Sequence, residues 1–227
     1  KRIRLDFINK LENIDGIETE EQQINEKISV SRVKITNENL SELVTSNIAN
    51  ASVPVGNIAD LQSVLNSNAT NVVLAKAIEV ESGDITLDLN GKTIIAEKSS
   101  AFEVKGGQLI LKNGKVEAYE STVRAIGGKV VIESGEYTST GTTTNRYSLD
   151  CREGGELIIN GGTFKSNNGM INVGSTVTIN GGKFENIVEK TRTRHFAYVS
   201  ALLTINDGEF YGKANSSAGG CFFCGAA

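Results

Sequence analysis

DCREGGELIINGGTF (150–164), INVGSTVTINGGKF (171–184) and YVSALLTINDGEF (198–210) repeat one pattern: an apolar strand ends in a glycine step, and an aromatic residue follows two positions later. FEVKGGQLILKNGKV (102–116) and VRAIGGKVVIESGEY (123–137) carry it upstream, and DITLDLNGKTI (84–94) fits when one residue is dropped. The later glycine of the step falls at Gly91, Gly114, Gly135, Gly162, Gly182 and Gly208, so successive spacings are 23, 21, 27, 20 and 26 residues. One residue type keeps its place while lengths vary elsewhere, which is what stacked, equivalent turns of a repeat fold require. A backbone with φ > 0 is expected at each of these positions, because glycine adopts it without the steric cost a Cβ brings.

The residues around the glycines supply a core. Leu109/Leu111, Val130/Ile132, Leu157/Ile159, Val177/Ile179 and Leu203/Ile205 alternate with period two, so one face of each strand is apolar. Two residues beyond the glycine, Val116, Tyr137, Phe164, Phe184 and Phe210 form an aromatic-rich column. A chain that returns to the same place after about 20 residues lays like strands side by side in parallel, ~4.8 Å apart, and such crossovers are right-handed in nearly all cases. The predicted fold is therefore all-β: a right-handed parallel β-helix over residues 72–227, with about six or seven coils in a rod on the order of 30 Å long. Asn160, Asn180 and Asn206 share one column. Two readings stay open for it, an amide ladder along the solenoid and a turn-favouring residue copied by duplication.

Lengths vary at two places, Ser139–Arg146 (STGTTTNR) and Val188–His195 (VEKTRTRH). They occur at the same phase of the repeat, so both are expected as loops on one side of the rod, where solenoids commonly carry recognition. Thr142, Thr143, Arg146, Arg192, Arg194 and His195 are the candidate binding residues.

Outside the repeat, IADLQSVLN (58–66) has apolar residues at 58, 61, 64 and 65, the spacing of an amphipathic helix. Placed before the first strand, it would cap the open end of the stack, as solenoids require for solubility. Residues 54–71 thus read as hinge and capping helix, with the hinge itself at Ser52–Gly56. Residues 1–53 obey another rule: no repeat, an acidic cluster at Glu18, Glu20 and Glu21, a possible strand at Ile28–Ile35 and a possible short helix at Asn39–Asn47. A segment with so little apolar material needs something to fold against, and it is expected to serve attachment or oligomerisation. The chain starts at Lys1 with no secretory signal pattern, and GGCFFCGAA (219–227) reads as the first strand of a further coil. A fragment of a longer product is the expectation.

The 227 residues carry a formal net charge of −4, no tryptophan and one proline, Pro54. No basic face is offered to a phosphate backbone, and no apolar run approaches the ~18 residues that span a bilayer, so neither nucleic acid nor membrane insertion is expected. His195 is the only histidine, which leaves no His-based triad or multi-histidine metal site. Cys221 and Cys224 form a lone C-x-x-C without a second ligand pair. Asp150, Glu153 and Glu156 on one coil, with Glu133 and Glu136 on the coil before, could supply a carboxylate pair of the glycosidase kind, but charged residues on the solvent side of a strand are the ordinary case. No catalytic residue, metal ligand or cofactor is assigned.

The capping helix, the strand NVVLAKAIEVESG (71–83) and the following DLNGKTI (88–94) resemble the start of pectate-lyase-like β-helices found in many extracellular and phage proteins, a likeness that covers residues 58–227 at the level of the fold. A non-repetitive N-terminal segment, a hinge and a rigid rod resemble the plan of bacteriophage head fibres, tail fibres and tailspikes. That resemblance implies a structural virion fibre or capsid decoration protein: a homotrimer bound to capsid or tail proteins through residues 1–53, its rod turned towards host-surface glycans. Fold alone does not give function. A bacterial cell-surface adhesin and a polysaccharide depolymerase, hydrolase or lyase, are the alternatives.

Overall fold

The computed structural model describes residues 18–25, 28–34, 55–141, 147–187, 195–212 and 222–224. The chain divides into two compact units, Lys1–Asn50 and Ala51–Ala227. In the first, β1 (Glu18–Asn25) and β2 (Ile28–Lys34) form an antiparallel ribbon with Glu18 opposite Lys34 and Glu20 opposite Arg32. The strand expected from Ile28 is present. Its partner is the acidic stretch itself, which carries no apolar alternation to announce a strand. The helix expected at Asn39–Asn47 lies outside the described residues.

The second unit opens with Val55, which is buried and bridges Leu74 in parallel. Val55, inside the stretch expected to be a hinge, thus already belongs to the stack. Helix α1 (Ile58–Leu65) follows. Asn57 caps it, its Oδ1 accepting the Asp60 N–H at 2.9 Å, which satisfies one of the first-turn donors the helix leaves unpaired. Asp60 in that first turn also complements the helix dipole. Leu61 and Leu65, one turn apart, are buried against the end of the stack.

Strand β3 (Asn71–Val73) leads into six coils of three strands. They are β4 (Ile78–Val80), β5 (Asp84–Asp88) and β6 (Thr93–Ala96); β7 (Phe102–Val104), β8 (Gln108–Lys112) and β9 (Lys115–Ala118); and β10 (Val123–Ile126), β11 (Lys129–Ile132) and β12 (Glu136–Ser139). After them come β13 (Tyr147–Arg152), β14 (Glu156–Ile159) and β15 (Thr163–Ser166); β16 (Gly169–Val173), β17 (Thr176–Ile179) and β18 (Lys183–Asn186); and β19 (Ala197–Val199), β20 (Leu203–Ile205) and β21 (Glu209–Tyr211). A further strand, β22 (Phe222–Cys224), pairs with β19. Every third strand joins one parallel sheet, so the solenoid has three faces: β4 to β22 on the first, β5 to β20 on the second and β3 to β21 on the third. This is the parallel β-solenoid read from the repeat, with about six turns.

The expected columns fill its interior. Leu109, Val130, Leu157 and Val177 stand in register and are fully buried, as are Leu111, Ile132, Ile159 and Ile179 within 1%. On the third face Tyr137, Phe164, Phe184 and Phe210 stack with ring centroids 5.1, 4.6 and 4.9 Å apart, offset stacks that add to the burial itself. Only the last coil opens: Leu202 and Ile205 are 62% and 41% exposed, where β20 is the edge strand among the described residues.

The glycine column departs from expectation at one member. Gly91, Gly135, Gly162, Gly182 and Gly208 have φ between 72° and 140°, but Gly114 does not, and the left-handed residue there is Asn113 at φ 57°. Gly114 is required for a different reason, since a Cβ on it would lie 2.3 Å from the Cβ of Leu89 on the coil before. Asparagine tolerates the left-handed region better than most residues, so the turn can move one place and keep glycine for close approach.

Candidate functional site

On the first face the residues between inward-pointing pairs point out. Ile78/Val80, Phe102/Val104, Val123/Ala125, Leu149/Cys151 and Ile171/Val173 are buried, and between them Glu79, Glu103, Arg124, Asp150 and Asn172 align rung by rung, followed by Tyr198. Strands ~4.8 Å apart set Glu79 directly beside Glu103, and a cation meets each of the two carboxylates. Arg124 Nη1 lies 2.5 Å from Glu103 Oε1 and its Nε 3.3 Å from Asp150 Oδ2. All three side chains are 12–16% exposed. Burial works against the Arg124 charge, but the two carboxylates outweigh it and hold the guanidinium firmly protonated. Asn172 donates to Asp150 Oδ1 at 2.8 Å, and Lys105 reaches back to Glu79 at 2.7 Å. The hydrogen bond and charge of Lys105 hold the Glu79 carboxyl below the ordinary carboxylate range. The result is a rigid outward file of donors and acceptors with fixed spacing.

Both sequence insertions fall between strands that flank this file. Residues 140–146 connect β12 to β13 and residues 187–196 connect β18 to β19, each a passage from the third face to the first. Because β12, β15 and β18 pair in register, and β13, β16 and β19 likewise, the strands that flank the two insertions meet at the same corner of the rod. Strands β21 and β22 flank the same corner. Of the six candidate binding residues, Thr142, Thr143, Arg146, Arg192 and Arg194 lie outside the described residues. His195 is half-buried and precedes Phe196, which returns the chain to the core.

The carboxylates weighed as a catalytic pair are each engaged by a cation or an amide. Glu136 meets Lys115 at 3.2 Å, Glu156 meets Lys129 at 3.2 Å, and Asp150 is shared by Arg124, Arg152 and Asn172. Glu153 lies 3.4 Å from Arg152, and Glu133 accepts the Asn160 amide at 3.1 Å. Cys151 is buried under the file, its Sγ donating to the carbonyls of Gly155 and Thr176 at 3.4 Å. Burial, with Asp150 and Glu156 nearby, pushes its thiol up to about 12, which leaves no thiolate for chemistry at neutral pH. Cys221 of the C-x-x-C lies outside the described residues, and Cys224 is exposed. Among the described residues no group of three or more His, Cys, Asp or Glu could hold a metal ion, and no helix is long and apolar enough to cross a membrane.

Sequence reasoning missed Glu103, Arg124, Asn172 and Tyr198 as members of one surface. The apolar and glycine positions repeat in the sequence, but the central outward residue of the first strand changes type from coil to coil and forms no visible column. Its one legible signal was position: the residue midway between two inward ones in FEV, VRA, LDC and INV. The Asn160–Asn180–Asn206 alternative is decided by geometry. Asn180 Nδ2 donates to Asn160 Oδ1 at 2.8 Å and Asn206 Nδ2 to Asn180 Oδ1 at 2.7 Å, a ladder that Glu133 completes at its upstream end. Compared with known proteins, the chain matches no family, no curated sequence and no solved structure.

Proposed function

We propose that this chain is a structural fibre or capsid decoration protein of a bacteriophage virion, attached to capsid or tail proteins through residues 1–53 and displaying its β-solenoid, as a homotrimer, to host-surface glycans. The observation that carries the reading is the corner between the third and first faces. The strands that flank both length insertions meet there, beside the Glu79–Tyr198 file, and the repeat keeps its register on either side. A rod that tolerates growth at one corner and nowhere else in its described coils is organised for display. The file supplies carboxylate, guanidinium and amide groups at rung spacing, the chemistry that hydrogen-bonds sugar hydroxyls, and its carboxylates are already neutralised by neighbours. That favours binding over bond cleavage.

Deleting residues 1–53 is expected to leave a rod with unchanged circular dichroism and a cooperative melt that no longer co-sediments with virions. Continued incorporation of the truncated chain would refute the attachment role. Release of reducing ends or unsaturated sugars from host capsular glycans by the full chain would replace the fibre with a depolymerase.

A further inference from the structure

We infer that copies of this chain associate side by side, parallel and in register, through the outer surface of the second face, with Ile110, Val131 and Ile158 at the contact. On β8, β11 and β14 the flanking residues Leu109/Leu111, Val130/Ile132 and Leu157/Ile159 point into the core, so the residue between each pair lies on the outer side of its strand, where Ile110 and Ile158 are half-buried and Val131, between them, is 8% exposed. Three successive outward rungs are therefore β-branched and aliphatic, and they stand directly over one another in the strand register. No other outward column of the described residues has three aliphatic rungs in succession. Outward positions of a sheet that faces water are ordinarily polar, and the first face obeys that rule at the same level of the rod.

What covers this stripe follows from the charges beside it. One flanking column runs Gln108, Lys129, Glu156 and the other Lys112, Glu133, Asn160. A symmetry axis parallel to the rod, passing along the stripe, sets the first column of each copy against the second column of the next at the same height. Gln108 then meets Lys112, Lys129 meets Glu133, and Glu156 meets Asn160, so each level pairs a charge with its opposite or with an amide. The one like-charged level is the first coil, Asp84 with Asp88, and there Asp88 is already met by Lys112 at 3.5 Å and by the Asn113 amide at 3.0 Å. An antiparallel approach does worse. Centred on Val131 it sets Lys129 on Lys129 and Glu133 on Glu133, and shifted by half a coil towards the first coil it sets Asp84 on Glu156; shifted half a coil the other way it sets Lys129 on Glu156 but Ile110 on Thr178, so only the parallel approach joins matched charges to three aliphatic rungs. The complementary arrangement suits any cyclic assembly about such an axis, because each interface repeats the same two columns. The inference rests on this face alone and stands whether or not the virion reading is correct.

Sedimentation velocity of the full chain is expected to show an oligomer, and Ile110→Lys with Ile158→Lys to shift it to monomer while the cooperative melt is kept, since both side chains face outward. Lys129→Glu should weaken association roughly five- to tenfold, and adding Glu133→Lys should restore it, because the pair is then exchanged across the interface. In a Cys221→Ser, Cys224→Ser background, Thr178→Cys, the next outward rung below Ile158, should be joined to its own symmetry mate by a short bis-maleimide, since facing sheets stand ~10 Å apart, beyond the reach of a disulfide. A wild-type chain that is monomeric at every concentration overturns the inference. So does an oligomer held only by the N-terminal segment, recognised when the double lysine variant keeps its size and Thr178→Cys fails to cross-link.

Discussion

At the scale of single residues, stacking turns a side chain into part of a column, and the cost of changing it depends on its neighbours above and below. Phe164 has no exposed surface and is sandwiched between Tyr137 and Phe184. Phe164→Ala is expected to lower the unfolding free energy by about 3 to 5 kcal/mol, read from the midpoint of a denaturant titration, and Phe164→Asp to abolish soluble expression. Asn180 offers a contrast, because it bonds both neighbours in its ladder but is exposed. Asn180→Ala should cost only about 1 kcal/mol; a loss as large as that at Phe164 would show that the ladder is cooperative beyond its two bonds. The aromatic and aliphatic columns were legible in the sequence because burial demands the same residue class at every turn. Gly114 was misread because two separate demands, a left-handed turn and room for Leu89, select the same residue type, and only coordinates separate them.

At the scale of elements, the helix that closes the stack is held by more than its apolar face. Leu61 and Leu65 were legible from helical spacing. Lys92 was not, since a lysine ahead of a strand reads as solvated. It is nevertheless 9% exposed, and its Nζ donates to the carbonyls of Ser67 and Ala69, both at 2.7 Å. Beside it Asn90 Nδ2 donates to the Leu65 carbonyl at 3.3 Å, at the end of the helix. The first coil thus reaches back to tie down the turn that follows α1. Lys92→Met keeps the packed stem but strands two buried carbonyls, and it should cost about 2 kcal/mol or somewhat more, since the lost hydrogen bonds are to a charged group. The loss should be local as well. Amide hydrogen exchange should quicken in Leu61–Leu65 and β3, while the β11 and β14 amides keep their protection; uniform acceleration through all coils would show that Lys92 supports the whole rod instead.

At the scale of the whole molecule, each coil touches the next, and its outward charges are settled between neighbouring coils. Stability in such a solenoid is nearly a sum of coil and interface contributions, so the pH response should also be a sum over rungs. Two carboxylates have a clear direction. Glu79 is held below the ordinary range by its hydrogen bond to Lys105 and by that lysine's charge, and Asp88 by the backbone N–H of Asn90 and the amide of Asn113. Groups with depressed native values stabilise the fold above the ordinary carboxylate range near pH 4, and that contribution disappears as the pH falls through their lower native values. The melting temperature should therefore be level from neutral pH to about pH 5 and then fall as acidification continues. Lys105→Met separates this linkage from simple packing, because it removes the cation that keeps Glu79 charged. The variant should melt below the wild type at pH 7, with a small gap because both side chains are about 40% exposed, and the two melting curves should converge as acidification passes the lowered native range of Glu79 and protonates it in both. A gap of constant size across that range would place the role of Lys105 in its hydrocarbon stem and not in its charge.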